Sequence, residues 1–217
     1  MKTDQQLRDD IMAELAWDPS IDAATVGVIV NKGVVTLTGH LNSYAQKHGV
    51  ERIVERVAGV KAIAVETDVK LPDSSKRTDT DIAAAAEHAL SWNAMVPKDR
   101  LKVRVEHGAV TLSGDVDWSF QRSHAGRAVR ALTGVVEVFN RIAVKSGPAP
   151  ADLHRRIASA ITRQAMREVD RIKADVQGGT VTLRGPVHSW AERRAAKGAV
   201  WAAPGVTAVI DEMVVAD

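Results

Sequence analysis

The stretch GGTVTLRGPVHSW, residues 178–190, decides the fold because the chain contains it in three versions. VNKGVVTLTGHLNSY occupies residues 30–44, and VEHGAVTLSGDVDWSF occupies residues 105–120. Each version carries two glycines six residues apart, and a Gly-Val pair begins twenty residues after the second glycine. Because neither spacing changes between copies, the sequence indicates an internal duplication. We assign these glycines to structural turns: Gly33, Gly39, Gly59, Gly108, Gly114, Gly134, Gly179, Gly185 and Gly205.

Each copy shows the same change of hydrophobic period. It begins with apolar residues spaced by four, which form one stripe of an amphipathic helix. The period then falls to two, as in a half-buried strand, and a tight glycine turn leads into a second strand. A second helix and a last alternating strand complete the copy. The first-helix stripes are Leu7, Ile11 and Leu15; Ile82, Ala86 and Leu90; and Leu153, Ile157 and Ile161.

This order predicts an α+β fold class with three tandem αββαβ two-layer domains, each with two helices on one face of a three-stranded mixed sheet. Polar or proline-rich linkers at 72–80 and 146–152 separate the copies. We therefore place domain 1 at residues 1–72, domain 2 at 77–146 and domain 3 at 150–217. Because domains of this size are only marginally stable alone, we expect the three to pack on one another.

Composition excludes several classes of site. The 217 residues include no cysteine, so disulfides and thiolate sites are excluded. The formal net charge is only +2, and no apolar run approaches the ~20 residues that span a bilayer. The start, MKTDQQLRDD, has no apolar stretch, so we expect a cytoplasmic protein. The alternative is a periplasmic protein in which Met1 replaces a removed leader.

The repeated core from Val30 to Gly39 resembles the BON domain family, the module named for bacterial osmotically induced and nodulation proteins. The same core recurs at 105–114 and 176–185, and the family's closing strand is matched best by Asn140, Ile142 and Val144. The resemblance covers nearly the whole chain, three times. It implies an αββαβ fold, no enzyme activity and an association with envelope maintenance and osmotic stress. Some family members resemble binders of anionic phospholipid, and one type is similar to a potassium sensor.

No catalytic or cofactor motif accompanies the repeat. The seven histidines form no HExxH, and neither G-x-x-x-x-G-K-[ST] nor G-x-G-x-x-G occurs. The recurring serines, Ser43 and Ser189, are explained as helix N-caps in capping boxes. We therefore predict a protein that is not an enzyme and that carries no metal and no cofactor.

Aromatic and basic residues on the second helices of domains 2 and 3 form the candidate binding surface. On an amphipathic helix this combination suits a lipid headgroup interface, so we predict peripheral attachment to an anionic phospholipid or membrane surface. Trp201 replaces Glu55 and Arg130 of the other copies and is expected to be exposed. The candidate residues are Trp118, Arg122, Arg127, Arg130, Trp190, Arg193, Arg194, Lys197 and Trp201.

Other interpretations stay open at this point. The tryptophans could instead fill contacts between domains, and Trp17 and Trp92 are assigned to the edge of the core. A second functional hypothesis is a cytoplasmic scaffold or small-cation sensor that acts through protein partners. Nucleic acid is a disfavoured partner, because the chain has no G-x-x-G loop and only a small positive excess.

Overall fold

A computed structural model describes residues 2–97, 99–145 and 172–216, together with Leu153 and Ile157. It contains three mixed sheets with helices, and the predicted α+β class with repeated αββαβ-type domains is confirmed. In domain 3, Leu153 and Ile157 are helical and buried in that domain's core. The rest of the predicted first helix of domain 3, including Ile161, lies outside the described residues.

Domain 1 shows the topology of the repeat. Its elements are α1 (Asp4–Trp17), β1 (Val26–Asn31), β2 (Val34–Leu41), α2 (Tyr44–Arg56) and β3 (Ala62–Val69). Strand β2 is central, antiparallel to β1 and parallel to β3. Helix α1 packs against β1 and α2 against β2 and β3, and the two helices contact each other, so both lie on one face of the sheet.

Domain 2 repeats this arrangement with its last strand broken in two, and the described strands and second helix of domain 3 follow the same order. Domain 2 contains α3 (Asp79–Trp92), β4 (Leu101–Glu106), β5 (Ala109–Val116), α4 (Ser119–Arg130), β6 (Glu137–Asn140) and β7 (Ala143–Val144). The described elements of domain 3 are β8 (Lys173–Gln177), β9 (Thr180–Val187), α5 (Trp190–Trp201) and β10 (Ala208–Val215). In each domain the first strand is an edge strand and the second is central.

Each domain has its own hydrophobic core beneath its helices. The predicted stripes of α1 and α3 are buried in full. All of the described helices except α4 begin where an N-cap side chain accepts a hydrogen bond from a backbone N–H of the first turn. Ser43 and Ser189 accept hydrogen bonds from the backbone N–H of Gln46 and Glu192, as predicted. Among the described residues, no helix is long and apolar enough to cross a membrane.

The assignment of every repeated glycine to a turn is wrong for three of them. Gly39, Gly114 and Gly185 lie inside β2, β5 and β9, with φ of +115°, +117° and +130°. Each of these strands continues past its glycine, because only a residue without Cβ adopts that φ readily. In the third hairpin turn the positive φ belongs to Gly178, not to Gly179.

Contacts between the domains use the first residues of the second helices. Tyr44, at the start of α2, packs against the core of domain 2. Trp190, at the start of α5, packs against the core of domain 1. Helices α2 and α5 also touch, and Arg194 forms an ion pair with Glu55 across that contact. The domains therefore pack on one another, and the first and third domains are joined directly.

Candidate anion-binding cleft

The second helices α2, α4 and α5 contribute to one open cleft of about 1050 Å³ at the junction of the three domains. Residues at equivalent helix positions face it from different domains. His48, Ser123 and Arg194 are one such set, and Arg52 and Arg127 are another. The remaining lining residues are Ser119, Arg122, Gly126, Arg130, Asn140, Lys197, Trp201, Thr207, Ala208 and Val209.

The lining of this cleft is strongly cationic. It contains five arginines and one lysine, and no aspartate or glutamate. Since the whole chain carries 29 basic and 27 acidic residues, this local excess reflects the fold rather than the composition. A concave surface of one charge sign concentrates counter-ions of the opposite sign. The six cations are Arg52, Arg122, Arg127, Arg130, Arg194 and Lys197.

Two of the six cations are held by carboxylates behind the cleft. Arg194 pairs with Glu55, and the Nζ of Lys197 lies 3.2 Å from an Oδ of Asp211. The side chains of the other four arginines have no hydrogen bond or ion pair with any described residue. Guanidinium groups without protein partners are ready to bind an anion, because no internal pair has to break first.

Arg130 is the deepest of these unpaired groups. Its Nε is buried and has no hydrogen-bond partner in the described part of the chain. Burial lowers the pKa of this guanidinium below its usual value; Tyr44 and Glu51 oppose that shift, and Arg52 and Arg127 add to it. A buried donor without a partner costs free energy unless a ligand satisfies it. Arg130 lines both this cleft and a smaller cavity beside Tyr44.

Asp211 positions the basic side chains of α5. Burial by itself raises the pKa of this carboxyl. Hydrogen bonds from Arg193, the Met213 backbone N–H and Lys197 outweigh that effect, so the pKa is lowered overall. The Arg193 Nε to Asp211 Oδ distance is 2.9 Å, and the guanidinium also lies 4.7 Å from the centre of the Trp190 ring. Arg193 thus belongs to the packing of α5 rather than to the cleft.

The cleft is open because the first residue of α4 is small. At the equivalent position α2 has Tyr44 and α5 has Trp190, and each of these rings packs against the core of another domain. Helix α4 has Ser119, which lines the cleft together with Thr207 and Ala208 of domain 3. The aromatic rings of Tyr44 and Trp190 fill two of the contacts between domains. At the third contact the small side chain of Ser119 leaves space.

The structure brings together six of the nine candidate residues named from the sequence. Arg122, Arg127, Arg130, Arg194, Lys197 and Trp201 line the cleft, whereas Trp118, Trp190 and Arg193 do not. Trp190 fills a contact between domains. Trp118 is the N-cap residue of α4 and is 40% exposed. Trp201 is half-buried against the core of domain 3, so the expectation of an exposed ring is wrong.

The assignment of Trp17 and Trp92 to the edge of the core is also wrong. Their side chains are 86% and 78% exposed, since each is the last residue of its helix and points away from the buried stripe. Sequence reasoning missed Arg52 and His48 in the cleft. Aligning the three second helices gives the signal, because Arg52 occupies the position of Arg127 and His48 that of Arg194.

Comparison with known proteins agrees with the repeat. The profile of the BON domain matches residues 3–70, 78–146 and 151–217. The chain belongs to the BON domain family. Osmotically-inducible protein Y of Escherichia coli (strain K12) is 27% identical over 148 residues, which is 65% of this chain and 73% of that protein.

Solved structures give only distant matches. CdsD, a structural protein of the type III secretion system of Chlamydia trachomatis, is 16% identical, with a TM-score of 0.27 and coverage of 96% of this chain and 91% of that chain. The PrgH periplasmic domain is 9% identical, with a TM-score of 0.22 and coverage of 88% and 95%. Likeness at this level carries no functional argument.

The described residues contain no group of three or more histidine or carboxylate side chains arranged to hold a metal ion. The chemistry available in the cleft is that of guanidinium, ammonium, imidazole, hydroxyl and amide groups. Such a set binds anions with several oxygen acceptors.

Proposed function

We propose that this protein is a non-enzymatic binding protein that holds the phosphate headgroup of an anionic phospholipid in the central cleft. One observation carries the proposal. The lining contains six cations and no carboxylate, and four of the cations form no side-chain hydrogen bond or ion pair with the described residues. Guanidinium groups bind phosphate oxygens through paired, charge-assisted hydrogen bonds. Attachment would be peripheral, at the membrane surface.

Membership of the family and the relative's name support a role in the response to osmotic stress. The relative from Escherichia coli is called osmotically inducible, and the match to it extends over most of this chain. A stress protein that attaches to anionic lipid would act on the envelope, where osmotic imbalance is felt. Attachment would depend on ionic strength, because added salt screens charges that are separated by more than a Debye length.

The hypothesis of a small-cation sensor is less well supported. The cleft has no carboxylate in its lining, and a bare cation would be repelled by six positive side chains. Hard cations such as Ca²⁺ require clustered oxygen ligands. The cleft favours an anion instead.

The test is co-sedimentation with vesicles of phosphatidylglycerol mixed into phosphatidylcholine, at low and at high salt. We expect the protein to bind the mixed vesicles at low salt, to leave them at high salt, and to ignore pure phosphatidylcholine. Each basic residue near an anionic surface contributes about 1 kcal/mol. The double variant Arg52→Ala/Arg127→Ala should therefore bind roughly thirtyfold more weakly. Both side chains are exposed, so folding should be unaffected.

The matched control is the double variant Arg104→Ala/Arg184→Ala. It loses the same charge from exposed strand positions outside the cleft, where each arginine pairs with a glutamate. We expect its vesicle binding to match the unmodified chain. Equal weakening of both double variants would indicate a general charge effect and would overturn the cleft as the site. Absence of binding to phosphatidylglycerol vesicles at low salt would reject the proposed function.

A further inference from the structure

A second cavity, of about 760 Å³, lies in domain 2 between α3 and β4. We call it the α3–β4 groove. The helix side is lined by the small side chains of Ala83 and Ala84 together with Glu87. The strand side is lined by Leu101, Lys102 and Val103. The groove shares no lining residue with the cationic cleft.

The strand side of this groove is an edge with unpaired backbone groups. Strand β4 pairs with β5 on one side only. The two-residue turn at 107–108 makes Glu106 and Ala109 a hydrogen-bonded pair, and such pairs alternate along an antiparallel ladder. The backbone N–H and C=O of Leu101 and Val103 therefore point away from β5, along the groove. A row of such groups is a template for another strand.

Domain 1 contains the same groove in a filled form. Val28 of β1 is the counterpart of Val103, 75 residues earlier, and its carbonyl oxygen accepts a hydrogen bond of 3.2 Å from the Arg8 Nε of α1. One turn further along the helix, Met12 packs against the core of domain 1. A cation and an apolar side chain of the chain itself thus occupy this edge.

Domain 2 lacks both of these side chains. The counterpart of Arg8 is Ala83, and the counterpart of Met12 is Glu87. The short side chain of Ala83 leaves the space open and the Val103 carbonyl without a side-chain donor among the described residues. Glu87 and Asp99 add two carboxylates to the lining, and neither has a described ion pair. The groove therefore presents a carbonyl acceptor, two carboxylates beside one lysine, and apolar surface together.

We propose that the α3–β4 groove binds an extended peptide segment of a partner protein, which adds a strand to β4 in this domain. The segment places a basic side chain beside Glu87 and an aliphatic side chain against Ala83 and Ala84, in the space that Arg8 occupies in domain 1. Main-chain hydrogen bonds to Leu101 and Val103 supply affinity, and the two side chains supply specificity. This proposal does not depend on the function of the cleft.

The probe is a short synthetic peptide in which valine and threonine alternate around one arginine, labelled for fluorescence anisotropy. We expect saturable binding to the full chain, together with slower amide hydrogen exchange at Leu101 and Val103. The variant Ala83→Arg copies domain 1 and should fill the groove with its own side chain. It should weaken binding at least tenfold while folding normally, because arginine is a good helix former.

Two controls make the result decisive. Ala85→Arg adds the same side chain to an exposed position of α3 outside the groove and should leave binding unchanged. A peptide with alternate amides N-methylated cannot pair with a strand edge and should not bind. Equal binding of the methylated peptide, equal affinity of Ala83→Arg, or no saturable binding of the first peptide would each overturn the proposal.

Discussion

Gly39 shows how one missing Cβ shapes a strand of this protein. Its φ is +115°, and a Cβ built there would lie 2.1 Å from the carbonyl oxygen of Thr25. Gly114 repeats the arrangement against the Arg100 carbonyl oxygen, at 2.2 Å. The absence of a Cβ at Gly39 therefore allows the backbone of Thr25 to approach closely, while strand β2 continues to Leu41.

We predict that Gly39→Ala destabilises the protein by about 1–3 kcal/mol, because the substitution forces a non-glycine residue into a sparsely populated φ region. The clash with a backbone carbonyl cannot be relieved by a rotamer change. Urea unfolding followed by circular dichroism measures the effect.

The control for this prediction is Gly198→Ala in α5. Nothing lies within 4 Å of a Cβ at that position, and its backbone is helical. Alanine should therefore stabilise the protein by about 0.5–1 kcal/mol. An unchanged or raised midpoint for Gly39→Ala would contradict the account of the strand.

At this scale the sequence located the important residues but not their roles. The constant spacing identified Gly39 and Gly114 as special, yet spacing cannot distinguish a turn from a close approach inside a strand. The carbonyl groups that approach these glycines belong to Thr25 and Arg100, which come close only when the domain is folded. Similarly, the pair Gly178-Gly179 gave no indication of which residue takes the positive φ.

Individual elements are tied together by carboxylates that the repeat pattern did not reveal. Asp79, the first residue of α3, accepts hydrogen bonds of 2.8 Å from the backbone N–H groups of His107 and Gly108. Asp4 of α1 does the same for Lys32 and Gly33. Each carboxylate connects the start of a helix to the hairpin turn of its own domain.

We predict a pH-dependent contribution of Asp79 to stability. The two backbone hydrogen bonds lower the pKa of its carboxyl below the usual value. Its stabilising effect is therefore fully present above the unfolded-state pKa of about 4 and is lost as pH falls through the lower folded-state pKa. The stability gap between the unmodified chain and Asp79→Asn should be largest near pH 6 and should shrink in acid.

Urea midpoints measured from pH 6 down to pH 3 test this point. All other titrating groups are common to the two proteins, so the difference between the two curves isolates Asp79. A gap that stays constant over the range would mean that the carboxylate contributes nothing through its charge.

Helix starts were partly predictable, because caps depend on local sequence. The Ser43 and Ser189 caps follow the capping-box pattern. In α4 the N-cap position holds Trp118, and the Gln121 side chain accepts from the Trp118 and Asp117 N–H groups instead. The bonds made by Asp4 and Asp79 join residues 28 or 29 positions apart, so they depend on packing that a local pattern does not encode.

For the whole molecule, the contact between domains 1 and 3 is the feature with the clearest energetic consequence. Trp190 packs against the core of domain 1, whereas Trp118 is the N-cap residue of the equivalent helix of domain 2 and is 40% exposed. Truncating a large, mostly buried aromatic residue costs about 3 kcal/mol. We predict that cost for Trp190→Ala and a change within about 0.5 kcal/mol for Trp118→Ala.

Guanidinium unfolding of both variants, followed by far-ultraviolet circular dichroism, measures these costs. We also expect Trp190→Ala to broaden the transition, since domain 3 would then unfold more independently of domain 1. Similar midpoints for the two variants would show that the Trp190 contact does not stabilise the assembly of domains.

The repeated αββαβ fold was predictable from the sequence, whereas the arrangement of the domains was not. Periodicity and glycine spacing report on contacts within a domain, and those contacts recur three times. Contacts between domains depend on positions where the copies differ, such as Tyr44, Ser119 and Trp190. The candidate arginines were found because charge is visible in sequence. Their convergence with Arg52 on one cleft required the domains to be placed.

Ser119 stands where the other two copies have Tyr44 and Trp190, and this difference affects how many ligands one chain can bind. Three identical subunits around an axis would offer either three equivalent sites or one symmetric site. A covalent chain of three unequal copies leaves one junction open and closes the other two with Tyr44 and Trp190. One chain should therefore bind a single headgroup in a single orientation, and an isothermal titration with a soluble headgroup analogue should saturate at one molecule per chain.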